Sequence, residues 1–343
     1  MPPTLETKRL ILRELHIDDA EDIFAYAKKK HISEYTLWEP HQTIKDSEDF
    51  ISEYVQSSYE EGAPEPFAIV EKKSRRVIGT VGCFWVSKTN RHMELAYALN
   101  DEFWGQGLIV EAAQKVIDYC FSFFEVDRIQ CRCKVQNIAS FRVMEKLNFT
   151  YEGILRNAIY HRERSWDLKV TSLLLEEWKS TKKGPYIRRA RIGDEEGIHQ
   201  AHMKSIQQVN AKDYRPDQIE AWGNREFHSE KRKKAILNHH LWVVEQDNSI
   251  EGYALIFDSK KDSTVEIYGL YLTPEVLSKG LGSTLMDYMI DMSILLNKKK
   301  IKATSTLTAI GFYERMGFKR VGNIELSPIN GADIEGQPME LIL

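Results

Sequence analysis

The sequence has little cysteine, and its few cysteines match neither a disulfide framework nor a metal site. Four of the 343 residues are cysteine, all in the first half, and three of them lie within strand or helix patterns. Such positions favour reduced thiols in a core over disulfides. Cys131 and Cys133 share one face of a predicted strand, but no second Cys or His pair lies nearby, so we predict no bound metal.

Long apolar runs and an excess of one charge are also absent. No run approaches the roughly 18 residues of a membrane span, and the N-terminus lacks the apolar core of a signal peptide, so we expect a cytoplasmic protein with no membrane partner. The first 182 residues carry 25 Lys and Arg against 29 Asp and Glu, and the remainder carries 22 of each. Because neither half is basic, we expect no nucleic-acid partner.

The chain does contain an internal repeat. In each half a strand pattern ends in a leucine, and a glycine follows eight residues later, just before an amphipathic helical run. A similar five-residue segment ends the repeated unit in both halves. The matching segments are 95–99, 104–109 and 145–149 in the first half, and 267–272, 277–282 and 314–318 in the second. Self-similarity of this kind indicates a duplicated domain, with the repeated part as the seat of function.

A polar stretch at 179–185, closed by Gly-Pro, separates the two copies. We therefore predict domains at 1–182 and 183–343, each long enough to bury a core. Both halves show one strand, two or more helices, a meander, and then strand-helix-strand-helix-strand-strand, which predicts a mixed α/β fold. Among the elements predicted from these patterns are a helix at about 46–60 and strands at about 165–175, 186–193, 319–326 and 337–343.

The glycine-containing segments 104–109 and 277–282 are the first candidates for a binding site. A strand that leads through such a loop into a helix presents free backbone N–H groups at the positive end of the helix dipole, where phosphate binds. An ordinary strand-to-helix turn would look similar in a single copy. Because the spacing recurs with matched strands and closing phrases, we favour the anion site.

This pattern resembles the GNAT superfamily, whose members transfer acyl groups from acyl-coenzyme A to amines and carry a Gln/Arg-x-x-Gly-x-Gly/Ala loop. The resemblance covers nearly the whole of both halves. The first domain is similar to the branch that acetylates N-terminal residues of ribosomal proteins, and the second is similar to small-molecule and general members. The segments that carry the likeness are 7–13, 103–107, Glu111-Ala112 and 137–140 in the first domain, and 214–222 and 312–318 in the second.

The resemblance implies two tandem acyl-CoA N-acyltransferase domains of mixed α+β sheet, each with two parallel strands splayed to admit pantetheine. It also implies acetyl-CoA as cosubstrate. Trp104 and Leu277 stand where the family has Gln or Arg, and Ile109 replaces the last Gly or Ala. The implied coenzyme-binding residues are Leu99, Gly105, Gln106, Gly107, Leu108, Ile109 and Asn137, and Leu272, Ser278, Lys279, Gly280, Leu281, Gly282 and Ser283.

Two glutamates are candidates for the base that keeps the attacking amine neutral. Glu266 lies 14 residues before Gly280, and Glu94 lies 13 residues before Gly107, one register out. A shift of one residue turns a strand side chain to the opposite face, so both glutamates face the cleft only if a bulge intervenes. The alternative for each is a solvated strand residue.

Two hydroxyl groups are candidates for the donor that helps the thiolate to leave. The resemblance implies Tyr313 as general acid in the second domain and Ser140 as its substitute in the first. Alignment of Phe149 with Phe318 places Met144 opposite Tyr313, and helix positions four apart share a face. The alternatives are packing for Tyr313, a helix-start residue for Ser140 and an N-cap for Asn137.

We interpret the chain as a tandem N-acetyltransferase that transfers acetyl directly to an amine in a ternary complex. The main alternative is one catalytic domain beside a second that only binds coenzyme A or acts as a scaffold. A nucleic-acid-modifying acetyltransferase would need a basic face that the composition does not show. The acceptor stays open among peptide α-amine, lysine, polyamine, aminoglycoside and amino-acid analogue, as does the oligomeric state.

Overall fold

A computed structural model describes residues 2–60, 62–258 and 262–343. The chain divides into two units, one that ends at Thr181 and one that begins at Lys182. Each unit is described by itself below. The predicted mixed α/β fold class is confirmed in both.

The first unit contains eight strands and seven α-helices in its described residues. The strands are β1 Leu5–Glu6, β2 Leu10–Arg13, β3 Phe67–Glu71, β4 Val77–Ser87, β5 His92–Leu99, β6 Arg128–Lys134, β7 Thr150–His161 and β8 Arg164–Leu174. The helices are α1 Ala20–Ala27, α2 Lys30–Ser33, α3 Ile44–Asp49, α4 Gln56–Glu60, α5 Leu108–Phe123, α6 Ile138–Lys146 and α7 Leu175–Ser180. A π-helical segment, Phe50–Val55, joins α3 to α4, and single 3₁₀ turns span Ile17–Asp19 and Asp101–Phe103.

The first sheet has the order β1-β2-β3-β4-β5-β6-β8-β7. Its one parallel pair within the described residues is β5 with β6, because α5 carries the chain back across the sheet between them. That ladder covers only the first three residues of each strand and ends at the pair Glu94 and Gln130. Both strands continue beyond this pair without pairing to each other, so they splay apart.

Helix α5 packs against the sheet of the first unit because its apolar residues recur at helical spacing. Ala112, Val116 and Cys120 lie four residues apart and are fully buried. A second cluster joins α1 and the segment from α3 to α4 to β3 and β4, and it includes Ile23, Val55 and Tyr59. Each fully buried side chain of this kind contributes roughly 1.5–3 kcal/mol relative to exposure.

The second unit repeats this plan with eight strands and five α-helices in its described residues. The strands are β9 Tyr186–Arg189, β10 His240–Gln246, β11 Ser249–Asp258, β12 Thr264–Leu272, β13 Lys300–Thr306, β14 Lys319–Arg320, β15 Glu325–Ile329 and β16 Ala332–Ile342. The helices are α8 Glu195–Gln208, α9 Pro216–Gly223, α10 Ser229–Asn238, α11 Leu281–Leu295 and α12 Ile310–Arg315. Single 3₁₀ turns span Asn210–Lys212, Pro274–Val276 and Leu307–Ala309.

The second sheet has the order β14-β16-β13-β12-β11-β10-β9, and β15 pairs with β16. Its parallel pair is β12 with β13, with α11 between them in the chain. This ladder ends at the pair Ile267 and Ala303, although β12 continues to Leu272 and β13 to Thr306. The same splay therefore occurs in both units.

Five of the element predictions need correction. The strand predicted at 186–193 ends at Arg189, and the strand predicted at 165–175 ends at Leu174, where the Glu177 carboxylate accepts the Leu174 N–H and starts α7. The helix predicted at 46–60 begins at Ile44 and has a π-helical middle. The strands predicted at 319–326 and 337–343 are instead β14, β15 and β16.

The hairpin between β15 and β16 carries a signal that the pattern analysis missed. Asn330 and Gly331 occupy its turn with φ of 46° and 87°. An Asn-Gly pair is the commonest sequence for a two-residue hairpin turn that needs positive φ at both positions. This pair extends β16 back to Ala332 and brings it to the wall of the cavity described below.

Candidate active sites

The two glycine loops have the same backbone conformation. Gly107 and Gly280, which precede α5 and α11, are left-handed with φ of 73° and 79°. Two residues earlier, Gly105 and Ser278 also have positive φ, at 75° and 59°. Residues of alternating hand turn successive N–H groups toward one side, as in an anion-binding nest. The first N–H groups of each helix, which have no intrahelical acceptor, adjoin it.

The space above these loops is open. A Cβ added to Gly280 would meet no atom within 4 Å, and one added to Gly107 would meet only the Arg9 guanidinium, at 3.9 Å. The protein itself therefore does not fill the space that a side chain at either glycine would occupy. This geometry fits the close approach of a pyrophosphate to backbone N–H groups.

The predicted coenzyme-binding residues fall on the splayed strand, the loop and the first turn of the helix in each unit. Leu99 and Leu272 end β5 and β12, and the loops hold Gly105, Gln106 and Gly107 in one unit and Ser278, Lys279 and Gly280 in the other. Leu108, Ile109, Leu281, Gly282 and Ser283 form the first helical turns. The structure thus brings these residues together, while their contact with coenzyme stays a prediction.

Asn137 lies at the N-terminus of α6 and caps it. Its side-chain oxygen accepts the N–H of Ser140 at 3.1 Å, which is the N-cap role considered as the alternative. Its counterpart Thr306 precedes the turn Leu307–Ala309 without a capping hydrogen bond from its side chain. Thr306 instead lines a cavity of the second unit.

Arg9 is a residue at the first loop that the sequence analysis did not select. Its Nη1 donates to the carbonyl oxygen of Gln106 at 2.9 Å, and its Nε donates to Glu111 Oε2 at 2.6 Å. Burial raises the pKa of Glu111, but hydrogen bonds from Thr7 and Arg9 outweigh it and hold that pKa below its ordinary value. The charged Glu111 fixes a guanidinium beside the nest. Arg9 belongs to the segment 7–13 that carries the family resemblance, so the sequence contained the information needed to select it.

A β-bulge resolves the register difference between Glu94 and Glu266. On β12, Gly269 pairs with Leu255 and Ile267 pairs with Ile256, so Tyr268 is the extra residue. Below the bulge, Glu266 pairs with Phe257 as Glu94 pairs with Phe84. The bulge that the sequence left open is therefore present, and both glutamates occupy the same position relative to the antiparallel strand beside them. The parallel ladder ends at Glu94 in the first unit and one residue after Glu266 in the second.

The two carboxylates nevertheless have opposite environments. Glu94 is buried, accepts a hydrogen bond from Gln130 Nε2 at 2.7 Å and forms an ion pair with Arg132 at 2.8 Å. Glu266 is exposed and, within the described part of the chain, makes neither a hydrogen bond nor an ion pair. The oxygens of Glu94 are therefore already engaged by two donors, whereas those of Glu266 are open to a ligand or to water.

The hydroxyl of Ser140 is paired with a tyrosine that the sequence analysis did not consider as a site residue. Ser140 Oγ lies 2.9 Å from the hydroxyl of Tyr97 on β5, within the splayed part of that strand. Burial raises the pKa of Tyr97 well above its ordinary value. The pair is an O–H donor set that remains protonated at neutral pH.

Tyr313 is buried at 5% exposure, with its ring edge-on to Phe312 and Phe318. Burial alone raises its pKa, so the phenol is protonated at neutral pH. Its hydroxyl has no hydrogen-bond partner among the residues that the structure describes. The ring therefore packs in the core, which was the alternative considered for Tyr313, while its O–H group has no hydrogen-bond partner among the described residues. Met144 at the matching position of α6 is fully buried.

The second unit contains a cavity of about 770 Å³ on the sheet face that carries Glu266. Aromatic side chains from α9, β11 and β12 form much of its wall, including Trp222, Tyr253, Tyr268 and Tyr271. Thr304, Ser305 and Thr306, at the carboxyl end of β13, line the part beside the splay. The cavity therefore places a space of small-molecule size beside the splayed ends of β12 and β13, although neither Glu266 nor Tyr313 is among its lining residues.

Residues 2–60, 62–258 and 262–343 contain neither a metal-binding group of side chains nor a membrane-spanning helix. No three or more His, Cys, Asp or Glu side chains are grouped so that they could hold a metal ion. No helix has the length and apolar character needed to cross a membrane.

Comparison with known proteins gives the same assignment for both units. A family profile described as "Acetyltransferase (GNAT) domain" matches residues 9–150, and a second profile with that description matches residues 210–343. The uncharacterized N-acetyltransferase p20 of Bacillus licheniformis is 31% identical over 51% of this chain and 98% of its own length. The uncharacterized N-acetyltransferase YoaA of Bacillus subtilis is 32% identical over 51% of this chain and 98% of its own. The ribosomal-protein-serine acetyltransferase of Escherichia coli is 26% identical over 30% of this chain and 58% of its own.

Proposed function

The chain belongs to the GNAT acetyltransferase family in both of its halves, and from this premise we propose that each half is a catalytic N-acetyltransferase. Each would transfer acetyl directly from acetyl-CoA to an acceptor amine in a ternary complex. The observation that carries the proposal is the duplicated geometry. In both units a left-handed glycine begins a helix beside two parallel strands, which splay at Glu94 in the first unit and one residue after Glu266 in the second.

Backbone groups hold the cosubstrate in this proposal. The nest at Gly105 to Gly107, or at Ser278 to Gly280, accepts the pyrophosphate, and unpaired peptide groups of the splayed strands accept the pantetheine amides. Trp104 and Leu277 stand where the family has Gln or Arg, and recognition by backbone groups explains why these two replacements are compatible with coenzyme binding. Arg9 adds a positive charge in the first unit.

Proton transfer differs between the units. The second unit offers Glu266 as a free carboxylate that receives the amine proton directly or through water, and Tyr313 as the donor to the leaving thiolate. In the first unit Glu94 is held by Arg132, so it serves to orient the amine, and Tyr97 with Ser140 supplies the O–H donor. Positioning of amine and thioester supplies the larger part of the catalysis.

We propose a peptide or protein α-amine as the acceptor of the first unit. An α-amine has a pKa near ~8, so a substantial fraction is neutral at physiological pH and little help from a base is needed. The engaged state of Glu94 suits such an acceptor better than a lysine. The name of the ribosomal-protein-serine relative agrees with this class.

The test is an acceptor screen on the full chain with acetyl-CoA. Peptides with free N-termini, lysine-containing peptides and small amines are assayed for thiol release, and the acetylated product is identified by mass spectrometry. Direct transfer predicts intersecting initial-velocity plots and no acetylated enzyme. Parallel plots with an acetyl-enzyme would contradict the ternary complex, and no acetylation of any amine would contradict the proposed function.

A second candidate is that only one unit is catalytic. The specific observation in its favour is the ion pair that occupies Glu94 in the first unit. In that case inactivation of the second unit would abolish acetylation of every acceptor, whereas two catalytic units predict that some acceptors are unaffected.

A further inference from the structure

Three basic side chains meet in the cavity of the second unit, from three different elements. His202 lies on α8, Arg232 on α10, and Arg225 between α9 and α10. Arg232 Nη2 lies 2.8 Å from His202 Nδ1, and Arg225 Nη2 lies 3.2 Å from His202 Nε2. We call these three residues the basic cluster.

The imidazole at the centre of the cluster does not neutralise the arginines. Burial first, and then the charges of Arg225 and Arg232, lower the pKa of His202 well below its ordinary value, so the ring is neutral. A neutral imidazole has one acceptor nitrogen. It can therefore accept a hydrogen bond from only one of the two guanidinium groups.

No carboxylate compensates the two positive charges within the described residues. Neither Arg225 nor Arg232 forms an ion pair there, whereas the buried Arg188 of the same unit pairs with both Asp194 and Glu245. Two carboxylates also line the cavity. Glu226 is exposed and bonded to neither arginine, and Glu335 accepts a hydrogen bond from Gln218 at 2.5 Å. Lys231 and His228 add basic character to the same wall.

The cluster also has an unsatisfied donor. Arg225 Nε is buried and has no hydrogen-bond partner. A buried donor without an acceptor is unfavourable, and so are two cations that converge without a counter-ion. A ligand with anionic oxygens would satisfy both, because a guanidinium matches carboxylate and phosphate geometry.

The position of the cluster relates the anion to the reaction centre. The basic cluster and residues Thr304 to Thr306, beside the splay, line the same cavity. The aromatic side chains of Tyr253 and Tyr271 line it as well. Arg232 also lies over the ring of Tyr253, 5.4 Å from its centroid. A small molecule in this cavity can present an anionic group to the arginines and an amine to the splay.

We propose that the acceptor of the second unit is an anionic amine, that is, an amine whose carboxylate or phosphate group is anchored by Arg225 and Arg232. This inference rests on the proposed acetyltransferase function and specifies the substrate class of its second site. Polyamines and aminoglycosides, which carry only positive charge, are excluded by the same cluster.

The experiment compares matched pairs of probes on the full chain. Amino acids are paired with their amides, and O-phosphoethanolamine is paired with ethanolamine, so each pair differs in the anionic group. Acetylation is measured as thiol release with acetyl-CoA, and binding of each probe is measured separately by calorimetry. The amino-acid and phosphate arms distinguish the two sources of the anion.

The variants are Arg225→Gln and Arg232→Gln, with Lys234→Gln as control. Lys234 is exposed on the same helix as Arg232 and does not line the cavity, so its substitution removes one charge without touching the cluster. We expect each arginine variant to weaken binding of the anionic probe roughly 10- to 100-fold, as for loss of a charge-assisted hydrogen bond. The neutral partner and the Lys234→Gln variant should change less than about 3-fold.

The outcomes separate the two proposals. Anionic probes that bind and lose affinity in the arginine variants, but are not acetylated, would support the anion site and contradict the catalytic role. Anionic probes that are acetylated and whose affinity is unchanged in both arginine variants would support the enzyme and overturn the anion site. Absence of binding for every anionic probe would also overturn it.

Discussion

The hydroxyl groups proposed to assist the leaving thiolate come from different residues in the two units. In the second unit Tyr313 contributes an uncommitted phenol from α12, whereas in the first unit Tyr97 and Ser140 share a hydrogen bond of 2.9 Å. Met144 leaves no hydroxyl at the position of Tyr313. The same chemical step is therefore assigned to a helix residue in one copy and to a strand residue with its helix partner in the other.

Tyr313→Phe should lower turnover by the second unit roughly 10²-fold or more and leave acetyl-CoA affinity nearly unchanged, because general acids typically contribute 10²–10⁴. Ser140→Ala should lower first-unit turnover less, since serine is a poor acid and Tyr97 remains. The measurements are steady-state kinetics with each unit's acceptor and calorimetry with acetyl-CoA. Tyr160→Phe, at an exposed tyrosine of the first unit, is the control. Full activity of Tyr313→Phe would identify the tyrosine as packing only.

Glu65 is a buried carboxyl group of the first unit outside the proposed chemistry. It packs against Gly82, where an added Cβ would lie 2.6 Å from it, and accepts a hydrogen bond from Tyr54 at 3.0 Å. Burial raises its pKa to about 7. The folded state thus retains a proton that the unfolded chain loses near its ordinary pKa, so this group costs stability as pH rises between those values.

Glu65→Gln should remove that pH-dependent cost and keep an acceptor for Tyr54. The raised pKa corresponds to about 3 kcal/mol at pH 8 and to less than about 1 kcal/mol at pH 5. We expect the gain in free energy of unfolding to be about 2 kcal/mol larger at pH 8 than at pH 5, measured by urea denaturation. The exposed Glu53→Gln serves as control. An equal effect at both pH values would show that Glu65 is not protonated in the folded protein.

At the scale of elements, the proposed coenzyme site of each unit is formed by a strand, the glycine loop that follows it and the helix after that loop. Its loop needs positive φ at Gly107 and Gly280, and an open space above them. The bulge at Tyr268 is a second element-level feature, because it restores Glu266 to the sheet face that Glu94 occupies without a bulge. Side-chain direction on these strands depends on ladder geometry as well as on residue count.

Gly280→Val should weaken acetyl-CoA binding by the second unit at least about 10-fold, because a branched side chain strains the left-handed position and fills the approach to the nest. Calorimetry on the full chain should then show one remaining site, and Gly107→Val should remove the other. Gly322→Val is the matched control, since Gly322 also has positive φ, at 69°, and open surroundings. If Gly322→Val weakens binding equally, the effect arises from strain and the loop is not the site.

At the scale of the whole molecule, each unit has its own sheet, its own splayed parallel pair and its own buried core. The predicted domain limits of 1–182 and 183–343 remain a proposal about independent folding. Duplication of a complete fold leaves both copies with the elements needed for binding, while the residues around each reaction centre differ. We therefore expect two acceptor specificities in one chain.

Separation of the chain between Thr181 and Lys182 should give two fragments that each fold and bind acetyl-CoA, because no strand of either sheet is shared. Circular dichroism and thermal melting measure folding, and calorimetry measures binding against the full chain. A fragment that folds but shows no heat of binding would reduce the protein to one coenzyme site. A fragment that does not fold would contradict the proposed domain limits.

The sequence by itself determined the duplication, the mixed α/β class, the two loops and the order of the elements up to the β15–β16 hairpin. These features depend on spacing along the chain, such as the eight residues from Leu99 to Gly107 and from Leu272 to Gly280. Backbone conformation at a turn or helix start is set by near neighbours, so it can be inferred from local pattern.

Only the tertiary structure decided the chemical state of the individual groups. Glu94 is engaged because Arg132 lies on the neighbouring strand, and Glu266 is free because its own neighbours leave it exposed. The basic cluster joins residues 202, 225 and 232 from separate elements around one cavity. Charge, burial and hydrogen bonding depend on atoms that folding brings together from distant positions in the chain, and local sequence carries no record of those distances.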